Sequence, residues 1–294
     1  MKLGLGTVQF GTDYGISNKL GQTSADEVRK ILEFAAGHGI RYLDTAPAYG
    51  TSEAVLGEHL SPSHQFRIVT KTSKITKSQI TADDVQSVLD TFRRSLEQLK
   101  QTSVYGLLVH HPDDLLNDGG DRLMLELESL KAQGLVKKIG VSIYGQEEID
   151  KLFKKYSLDL IQIPLNVFDQ RLLRNGYLRS LKNQGIEIHV RSIFLQGILL
   201  MSEEELPPYL SSFIPYLRRY REVNEKLGIS PLQAAIGFVD QLLEVDTILV
   251  GVNNLDQLVE IVTATDRIFD SKYLREFVIE DTSLINPSLW RKIV

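Results

Sequence analysis

Cysteine is absent from this chain of 294 residues. Its absence excludes disulfide bonds, thiolate nucleophiles, and cysteine-ligated zinc or iron–sulfur centres. Long apolar runs are absent as well: the longest stretch without an acidic or basic residue covers 227–239, and at 13 residues it is too short to span a bilayer. The first seven residues contain no apolar segment typical of a secretion signal. We therefore expect a cytoplasmic protein with no membrane partner.

Dense runs of Lys and Arg are also missing. The chain has 33 Lys and Arg against 38 Asp and Glu, which gives a net charge of −5. A nucleic-acid partner requires a basic surface, so we expect none. The six histidines show no metal-ligand spacing. His110 and His111 are adjacent on a predicted strand and are expected to face opposite sides, so no metal site is predicted.

What the sequence does contain is a regular alternation of short apolar runs and amphipathic segments. Eight runs are short and largely apolar, which is typical of strands buried on both faces. They are 3–7, 41–43, 67–70, 104–109, 138–141, 160–163, 186–190 and 247–250. Between most of them apolar residues recur with helical spacing, for example from Val85 to Leu99. Strands that alternate with helices pair in parallel through right-handed crossovers.

Two architectures are compatible with this alternation, a closed barrel and a doubly wound open sheet. The open sheet that binds dinucleotides carries Gly-x-Gly-x-x-Gly after its first strand, and this chain lacks that motif there. The count of eight favours an α/β fold of the (β/α)8 TIM barrel type, with a single domain over 1–294 and a C-terminal tail over 269–294. Residues 201–215 are expected to form a loop plus an extra helix between strands seven and eight.

Four titratable residues stand at the ends of three consecutive predicted strands. Asp44 and Tyr49 lie in the segment after strand two, Lys71 ends strand three, and His110 follows strand four. Each residue alone is more simply explained as a cap, a packed phenol or a surface group. Four such groups at one barrel mouth are costly to bury without a purpose, and together they predict a catalytic site.

The chemistry of this set suits proton donation to a carbonyl oxygen. A free tyrosine, with a pKa of about 10, is too weak an acid near neutral pH, and a neighbouring ammonium lowers that value. We expect Lys71 to lower the pKa of Tyr49, and Asp44 to keep Lys71 charged. A neutral His110 would orient the carbonyl and share its developing negative charge. No side chain supplies a hydride, so a cofactor must supply it.

The segment 44–50, Asp-Thr-Ala-Pro-Ala-Tyr-Gly, resembles the most specific motif of the aldo-keto reductases, which are NAD(P)-dependent barrel enzymes. Lys71 and His110 follow in the order of that family's Asp/Tyr/Lys/His tetrad, and the similarity extends from Leu3 to about Val262. The resemblance implies that NAD(P)H reduces a small-molecule carbonyl substrate, an aldehyde or ketone, with Tyr49 as the general acid. It also implies an extended cofactor that needs no Rossmann glycine loop.

The resemblance further implies which residues bind the cofactor. They are Gly6, Thr7, Ser142, Gln162, Asn166, Ser192, Phe194, Gln196, Gly197, Gly251, Asn253, Asn254, Gln257 and Glu260. Ser142 and Gln162 match the positions that hold the nicotinamide carboxamide. The segment 191–197 matches the loop that wraps the diphosphate, for which backbone amides and a hydroxyl are suitable donors.

Three departures from the family pattern affect these expectations. Ile143 replaces a frequent Asn, so its carboxamide contact is expected to be lost or to move to Asn166. NADP is the family's usual cofactor, but 251–257 offers no Lys or Arg for a 2′-phosphate, so NAD stays open. Gln9 and His111 replace two frequent tryptophans, and they either make the substrate pocket more polar or point into loops. The polar pocket favours sugar-like carbonyls, and its expected lining is Gln9, Tyr14, His111 and Tyr144.

Two other classes of function stay open beside the reductase. A cofactor-binding regulatory subunit on the same scaffold would bind nicotinamide with little catalysis, although the intact tetrad argues against it. A barrel aldolase would use Lys71 as a Schiff-base amine, which Asp44 opposes by keeping that amine protonated. No sequence feature selects the physiological substrate, the direction of the reaction or the oligomeric state.

Overall fold

The computed structural model describes residues 1–267 and 269–290. Its eight parallel strands pair in chain order, and the first also pairs with the last, which closes a barrel. The strands are β1 (Leu3–Gly6), β2 (Tyr42–Asp44), β3 (Arg67–Lys71), β4 (Val104–Val109), β5 (Val136–Ser142), β6 (Leu160–Pro164), β7 (Glu187–Arg191) and β8 (Thr247–Gly251). All eight predicted strands are present, and the predicted (β/α)8 barrel is confirmed.

Helices lie between the strands and after β8. They are α1 (Val8–Gly11), α2 (Ala25–Gly37), α3 (Ser52–His59), α4 (Ala82–Leu99), α5 (Asp113–Leu116), α6 (Gly120–Ala132), α7 (Gln146–Lys155), α8 (Arg171–Arg174), α9 (Tyr177–Asn183), α10 (Ile214–Leu227), α11 (Pro231–Asp240), α12 (Leu255–Ala264) and α13 (Thr282–Ile285). Across the described residues, no helix combines the length and the apolar composition that crossing a membrane requires.

The main hydrophobic core lies between the barrel and these helices. In α4 the predicted apolar stripe is buried, and the helix begins with a capping box in which Thr81 and Asp84 bond to each other's backbone N–H groups. Inside the barrel, a separate small cluster consists of Val69, Leu108 and Leu160 from three different strands. The barrel is therefore a packed interior, and a ligand can enter only at its ends.

Polar side chains occupy the N-terminal end of the barrel. Glu187, the first residue of β7, accepts a hydrogen bond from Tyr105 at 2.7 Å and forms an ion pair with Lys138. His189 lies 2.7 Å from the same carboxylate and is fully buried. This end is closed by its own side chains, which leaves the opposite end for the predicted chemistry.

The connection from β7 to β8 contains two helices, α10 and α11. The loop plus extra helix predicted for 201–215 is present, with α10 beginning at the end of that segment. Tyr220 of α10 is buried, and its ring contacts those of Phe168 and Phe277 at 5.9 Å and 5.8 Å. Because Phe277 belongs to the tail, residues 269–290 pack against this outer helix.

Candidate active site

Asp44 and Lys71 form a buried ion pair at the C-terminal ends of β2 and β3. Lys71 Nζ lies 2.8 Å from each carboxylate oxygen of Asp44 and 2.9 Å from the carbonyl oxygen of Thr45. The three ammonium protons therefore all have acceptors, in a residue that is 1% exposed. Gln162 of β6 donates a hydrogen bond to the same carboxylate at 2.7 Å, a contact that the sequence did not predict.

Tyr49 lies in the turn after β2, and two glycines let this turn pack closely against α1. Gly50 has a φ of 59°, and a Cβ on Gly11 would come within 1.9 Å of the Tyr49 carbonyl oxygen. The centroid of the Tyr49 ring lies 4.8 Å from Lys71 Nζ and 6.1 Å from the centroid of the His110 ring. The four residues of the predicted tetrad are therefore brought together at one end of the barrel.

Burial and neighbouring charge act in opposite directions on Tyr49 and Lys71. Burial raises the pKa of Tyr49 above that of a free tyrosine, and the positive charge of Lys71 only partly offsets this. Burial alone lowers the pKa of Lys71, but Asp44 and Tyr49 outweigh it, so the net pKa of Lys71 is raised. Lys71 acts on Tyr49 in the predicted direction, yet the predicted net lowering of the Tyr49 pKa is wrong because desolvation is stronger. The site holds a protonated phenol beside a protonated amine.

The His110 imidazole is neutral. Burial, followed by the charges of Lys71, His111 and Arg191, lowers the pKa of His110 to about 3. The ring of His111 stacks on that of His110, with 4.9 Å between centroids and 30° between planes. The prediction that these two rings face opposite sides is wrong, because β4 ends at Val109 and the alternation of side chains stops with the strand.

We expect His110 to stay neutral from about pH 5 to pH 8, because burial holds its pKa near 3. Its Cε1 proton should then show no titration in NMR spectra over this range, and a His110→Gln variant would assign the signal. The folded pKa lies below the ordinary value of 6.5, so the unfolded chain binds this proton first, and stability falls as the pH drops from 6.5 towards 3. A His110 signal with a midpoint near 6.5 would contradict the assignment.

An open cavity of about 740 Å³ connects the tetrad with the first turn of α12. Its volume is in the range of sites for small organic ligands. The predicted residues that line it are Gly6, Gln9, Tyr14, Asp44, Tyr49, His110, Ser142, Tyr144, Gln162, Ser192, Phe194, Gln196, Gly197, Gly251, Asn253, Gln257 and Glu260. Most of the predicted cofactor and substrate residues therefore share one cavity with Asp44, Tyr49 and His110 of the predicted tetrad.

Five predicted residues lie outside the cavity lining, namely Thr7, Lys71, His111, Asn166 and Asn254. Thr7 donates a hydrogen bond to the backbone carbonyl of Asp44 at 3.0 Å. Asn166 accepts two backbone N–H groups of its own turn and donates to the Ser192 carbonyl at 3.1 Å, and it is fully buried outside the cavity lining. Asn254 caps the N-terminus of α12.

The loop after β7 has a strained backbone. Ser192, Leu195 and Gln196 have φ angles of 61°, 50° and 54°, in the left-handed region that non-glycine residues rarely adopt. Each such residue costs of order 1–3 kcal/mol, and strain of this kind concentrates where a loop binds a ligand. The strained backbone therefore supports the predicted binding role of this loop.

A second loop, residues 14–20 after β1, covers the strained one. Ser17 donates its N–H to the carbonyl of Gln196 at 3.4 Å, and Lys19 forms an ion pair with Glu205 at 2.7 Å. A Cβ on Gly197 would lie 2.0 Å from Ser17 Oγ, so glycine is needed for this close approach. All of these residues line the cavity. Apart from Tyr14, this covering loop was not predicted, because its sequence has no periodic pattern.

The turn 251–258, between β8 and α12, has several polar groups already paired. Leu255 donates its N–H to the Glu27 carboxylate at 2.9 Å, and Asn253 donates its N–H to Gln257 Oε1 at 2.8 Å. The cavity lining contributed by β8, this turn and α12 is uncharged or acidic, and consists of Leu249, Gly251, Asn253, Gln257, Glu260 and Ile261. A cofactor 2′-phosphate, which the resemblance would place in this region, would therefore meet a carboxylate and no cation among these side chains.

Gln9 has an unsatisfied polar atom on the cavity wall. Its Oε1 is buried and has no hydrogen-bond partner among the described residues. Its amide group packs against Gly251, where a Cβ would lie only 2.6 Å from Nε2. A buried acceptor without a partner costs about 1–3 kcal/mol, and a donor on a bound ligand would remove that cost. This orphaned oxygen supports the interpretation of the cavity as a binding site.

Comparisons with known proteins agree with this geometry. The model of the aldo/keto reductase family matches residues 2–278. D-arabinose 1-dehydrogenase of Saccharomyces cerevisiae is 28% identical over 179 residues, which cover 53% of this chain and 53% of the yeast protein. D-threo-aldose 1-dehydrogenase of a Pseudomonas species is 27% identical over 218 residues, which cover 64% of this chain and 66% of the Pseudomonas protein. The chain therefore spans about half to two thirds of the length of these two curated relatives.

A solved structure shows the same fold. An aldo-keto reductase from Bacillus halodurans, in its holo form, matches with a TM-score of 0.72 and 19% sequence identity over 94% of this chain and 90% of that one. The family match over 2–278 includes all eight strands and all four residues of the tetrad. The resemblance seen in the sequence is confirmed: this chain belongs to the aldo/keto reductase family.

Proposed function

We propose that the protein is an oxidoreductase that reduces an aldehyde or ketone with NADPH or NADH, and that Tyr49 donates the proton. The observation that carries this proposal is the position of Tyr49 close to both Lys71 and His110, in a cavity that continues to α12. Two related proteins are named as dehydrogenases of sugars, which supports a sugar-like carbonyl as the substrate.

Each residue of the tetrad has one task in this proposal. The Tyr49 hydroxyl donates its proton to the carbonyl oxygen as negative charge develops there, and Lys71 stabilises the phenolate that remains. Asp44 keeps Lys71 protonated, and Gln162 fixes the orientation of the carboxylate. Neutral His110 donates a hydrogen bond to the same carbonyl oxygen without competing as an acid.

The residues around the cavity fit a nicotinamide dinucleotide, because the cavity has a volume of about 740 Å³, includes the strained loop and residues of α12 in its lining, and has an unpartnered amide oxygen on its wall. Ser142 and the Oε1 atom of Gln162 would hold the carboxamide. The loop 192–197 would hold the diphosphate, and Gln257 with Glu260 the adenosine end. When bound, the cofactor supplies the hydride that no side chain can supply.

The proposal is tested by following the oxidation of NADH or NADPH after aldehydes and ketones are added. We expect turnover with at least one cofactor, and faster turnover of a small aldose than of a bulky hydrophobic ketone, because Gln9, Tyr14 and Tyr144 give the cavity polar edges. A clear preference for the ketone would exclude the polar pocket. If the protein quenches nicotinamide fluorescence but reduces none of the aldehydes and ketones, the reductase proposal is wrong and a cofactor-binding regulatory subunit is favoured.

The Schiff-base aldolase is disfavoured by the structure. Lys71 is fully buried, contacts both oxygens of Asp44 and has a raised pKa, so its nitrogen has no free electron pair for attack on a carbonyl. Reductive trapping of a substrate on Lys71 by borohydride would reverse this conclusion.

The turn 251–258 leads us to expect that NADH binds at least as tightly as NADPH. The cavity-lining side chains of this turn and of α12 include Glu260 and no cation, so a 2′-phosphate would meet repulsion there. Fluorescence titration with each reduced cofactor measures the two Kd values. A Gln257→Arg variant should shift the preference towards NADPH by about tenfold, with Gln257→Met as the uncharged control. A wild-type protein that binds NADPH about tenfold more tightly than NADH would contradict this expectation.

A further inference from the structure

Arg191 brings a positive charge into the cavity that no part of the proposed mechanism uses. It is the last residue of β7 and lines the cavity with the tetrad. Within residues 1–267 and 269–290, no carboxylate forms an ion pair with it. Arg171 shows the contrast, since its guanidinium binds both oxygens of Asp169 at 2.8 Å.

The guanidinium of Arg191 is held in a fixed orientation at the catalytic end. Its central carbon lies 4.3 Å from the centroid of the Tyr144 ring, and Nη2 donates to the Ile143 carbonyl at 3.0 Å. Both partners, Ile143 and Tyr144, directly follow Ser142 in the sequence. They are distant in sequence from the turn before α12. Burial and the charge of Lys71 lower the pKa of His110, and the charge of Arg191 lowers it further. Arg191 is therefore within electrostatic range of the tetrad.

The catalytic end of the cavity therefore carries net positive charge. Lys71 and Arg191 are cationic, Asp44 is the anion that pairs with the first of them, and His110 is neutral. A guanidinium has five N–H donors in a planar fork, which matches the two oxygens of a carboxylate. The described contacts of Arg191 use Nη2 and a long Nη1 contact to Ser192 Oγ at 3.4 Å. Donors remain for a ligand that carries an anion.

We propose that Arg191 binds a carboxylate on the carbonyl substrate, so that the preferred substrates are oxo acids, compounds with both an aldehyde or ketone and a carboxylate. This inference rests on the proposed reductase function and narrows its substrate class. The diphosphate of the cofactor is the other anion this cavity would receive. Arg191 is assigned to the substrate because its contacts lie at Ile143 and Tyr144, directly after Ser142, where the proposed function places the nicotinamide carboxamide.

The experiment compares acids with their methyl esters, which keep the carbonyl and remove the charge. With glyoxylate, succinic semialdehyde and 4-carboxybenzaldehyde, we expect the wild-type protein to prefer at least one acid over its ester by about tenfold or more in kcat/KM. Arg191→Met should abolish this preference, mainly by raising the KM of the acid, and Arg191→Lys should restore part of it. Arg174→Met, which removes a cation paired with Glu280 outside the cavity lining, should leave the acid-to-ester ratio unchanged.

The outcomes separate this inference from the function on which it rests. Esters reduced as well as acids by the wild-type protein would overturn the role of Arg191 and leave the reductase intact, whatever the variants do. No reduction of acids, esters or other carbonyls with either cofactor would overturn both. If Arg191→Met weakens NADH binding in a fluorescence titration and changes the KM of acid and ester alike, Arg191 serves the diphosphate and the proposal is wrong.

Discussion

A Tyr49→Phe variant is expected to lose about 10²–10⁴-fold in kcat and to keep its affinity for reduced nicotinamide. The substitution removes only the phenolic oxygen, so the ring that lies 4.8 Å from Lys71 Nζ still fills its place in the site. This loss of kcat is the loss expected when one general acid is removed, because the neutral His110 cannot take the place of Tyr49 as proton donor. Oxidation of NADH or NADPH measures kcat, and quenching of nicotinamide fluorescence measures the Kd.

Tyr14→Phe is the matched control for this variant. The Tyr14 phenol lines the same cavity, but its partner is Gln196 at 3.4 Å, and it has no contact with the ion pair. We expect a much smaller loss of kcat. Undiminished carbonyl reduction by Tyr49→Phe would exclude Tyr49 as the acid. Equal losses in both variants would show that turnover depends on the cavity phenols in general.

The convergence of the tetrad could be predicted because the fold itself supplies the proximity. Consecutive parallel strands end at the same edge of the barrel, so Asp44, Lys71 and His110, each at or just after a strand end, had to meet there. The fold was also predictable, because eight short buried strands leave a periodic mark on the sequence. Its closure into a barrel followed from the count and from the missing glycine motif.

Contacts across the barrel could not be predicted in the same way. Gln162 reaches Asp44 over a separation of 118 residues, and no local pattern states which side chains face each other across a closed sheet. The stacking of His110 on His111 depends on where β4 ends, and element boundaries are weakly encoded in sequence. Arg191 appeared in the sequence only as the first residue of a loop.

The net shift in the pKa of Tyr49, which depends on the balance between burial and neighbouring charge, also could not be predicted from the sequence. A sequence shows that a lysine and a tyrosine meet, but the extent of desolvation depends on how the turn packs against α1. In the structure, burial raises the Tyr49 pKa more than Lys71 lowers it. In the proposed reaction, this phenol would keep its proton until negative charge develops on a bound carbonyl, which suits an acid that acts in the transition state.

A Lys71→Met variant is expected to lose both stability and activity. The substitution leaves the Asp44 carboxylate, which is 5% exposed, with Gln162 as its remaining side-chain donor. Breaking a buried ion pair in this way costs about 3–5 kcal/mol of unfolding free energy. Urea unfolding followed by circular dichroism measures the loss as a shift in the midpoint. Arg174→Met breaks an exposed pair with Glu280 of similar length and should cost less than about 1 kcal/mol.

A double variant, Lys71→Met with Asp44→Leu, separates the structural role of the pair from its chemical role. Replacing both buried charges by apolar side chains is often neutral for stability, so we expect the urea midpoint to recover most of the loss. Activity should not recover, because the phenolate of Tyr49 would still lack a cation to stabilise it. If Lys71→Met is as stable as the wild type, solvation of the Asp44 carboxylate is sufficient to keep the fold stable without Lys71. Wild-type kcat in the double variant would show that the proton donor works without the ion pair, and the mechanism proposed for Tyr49 would fail.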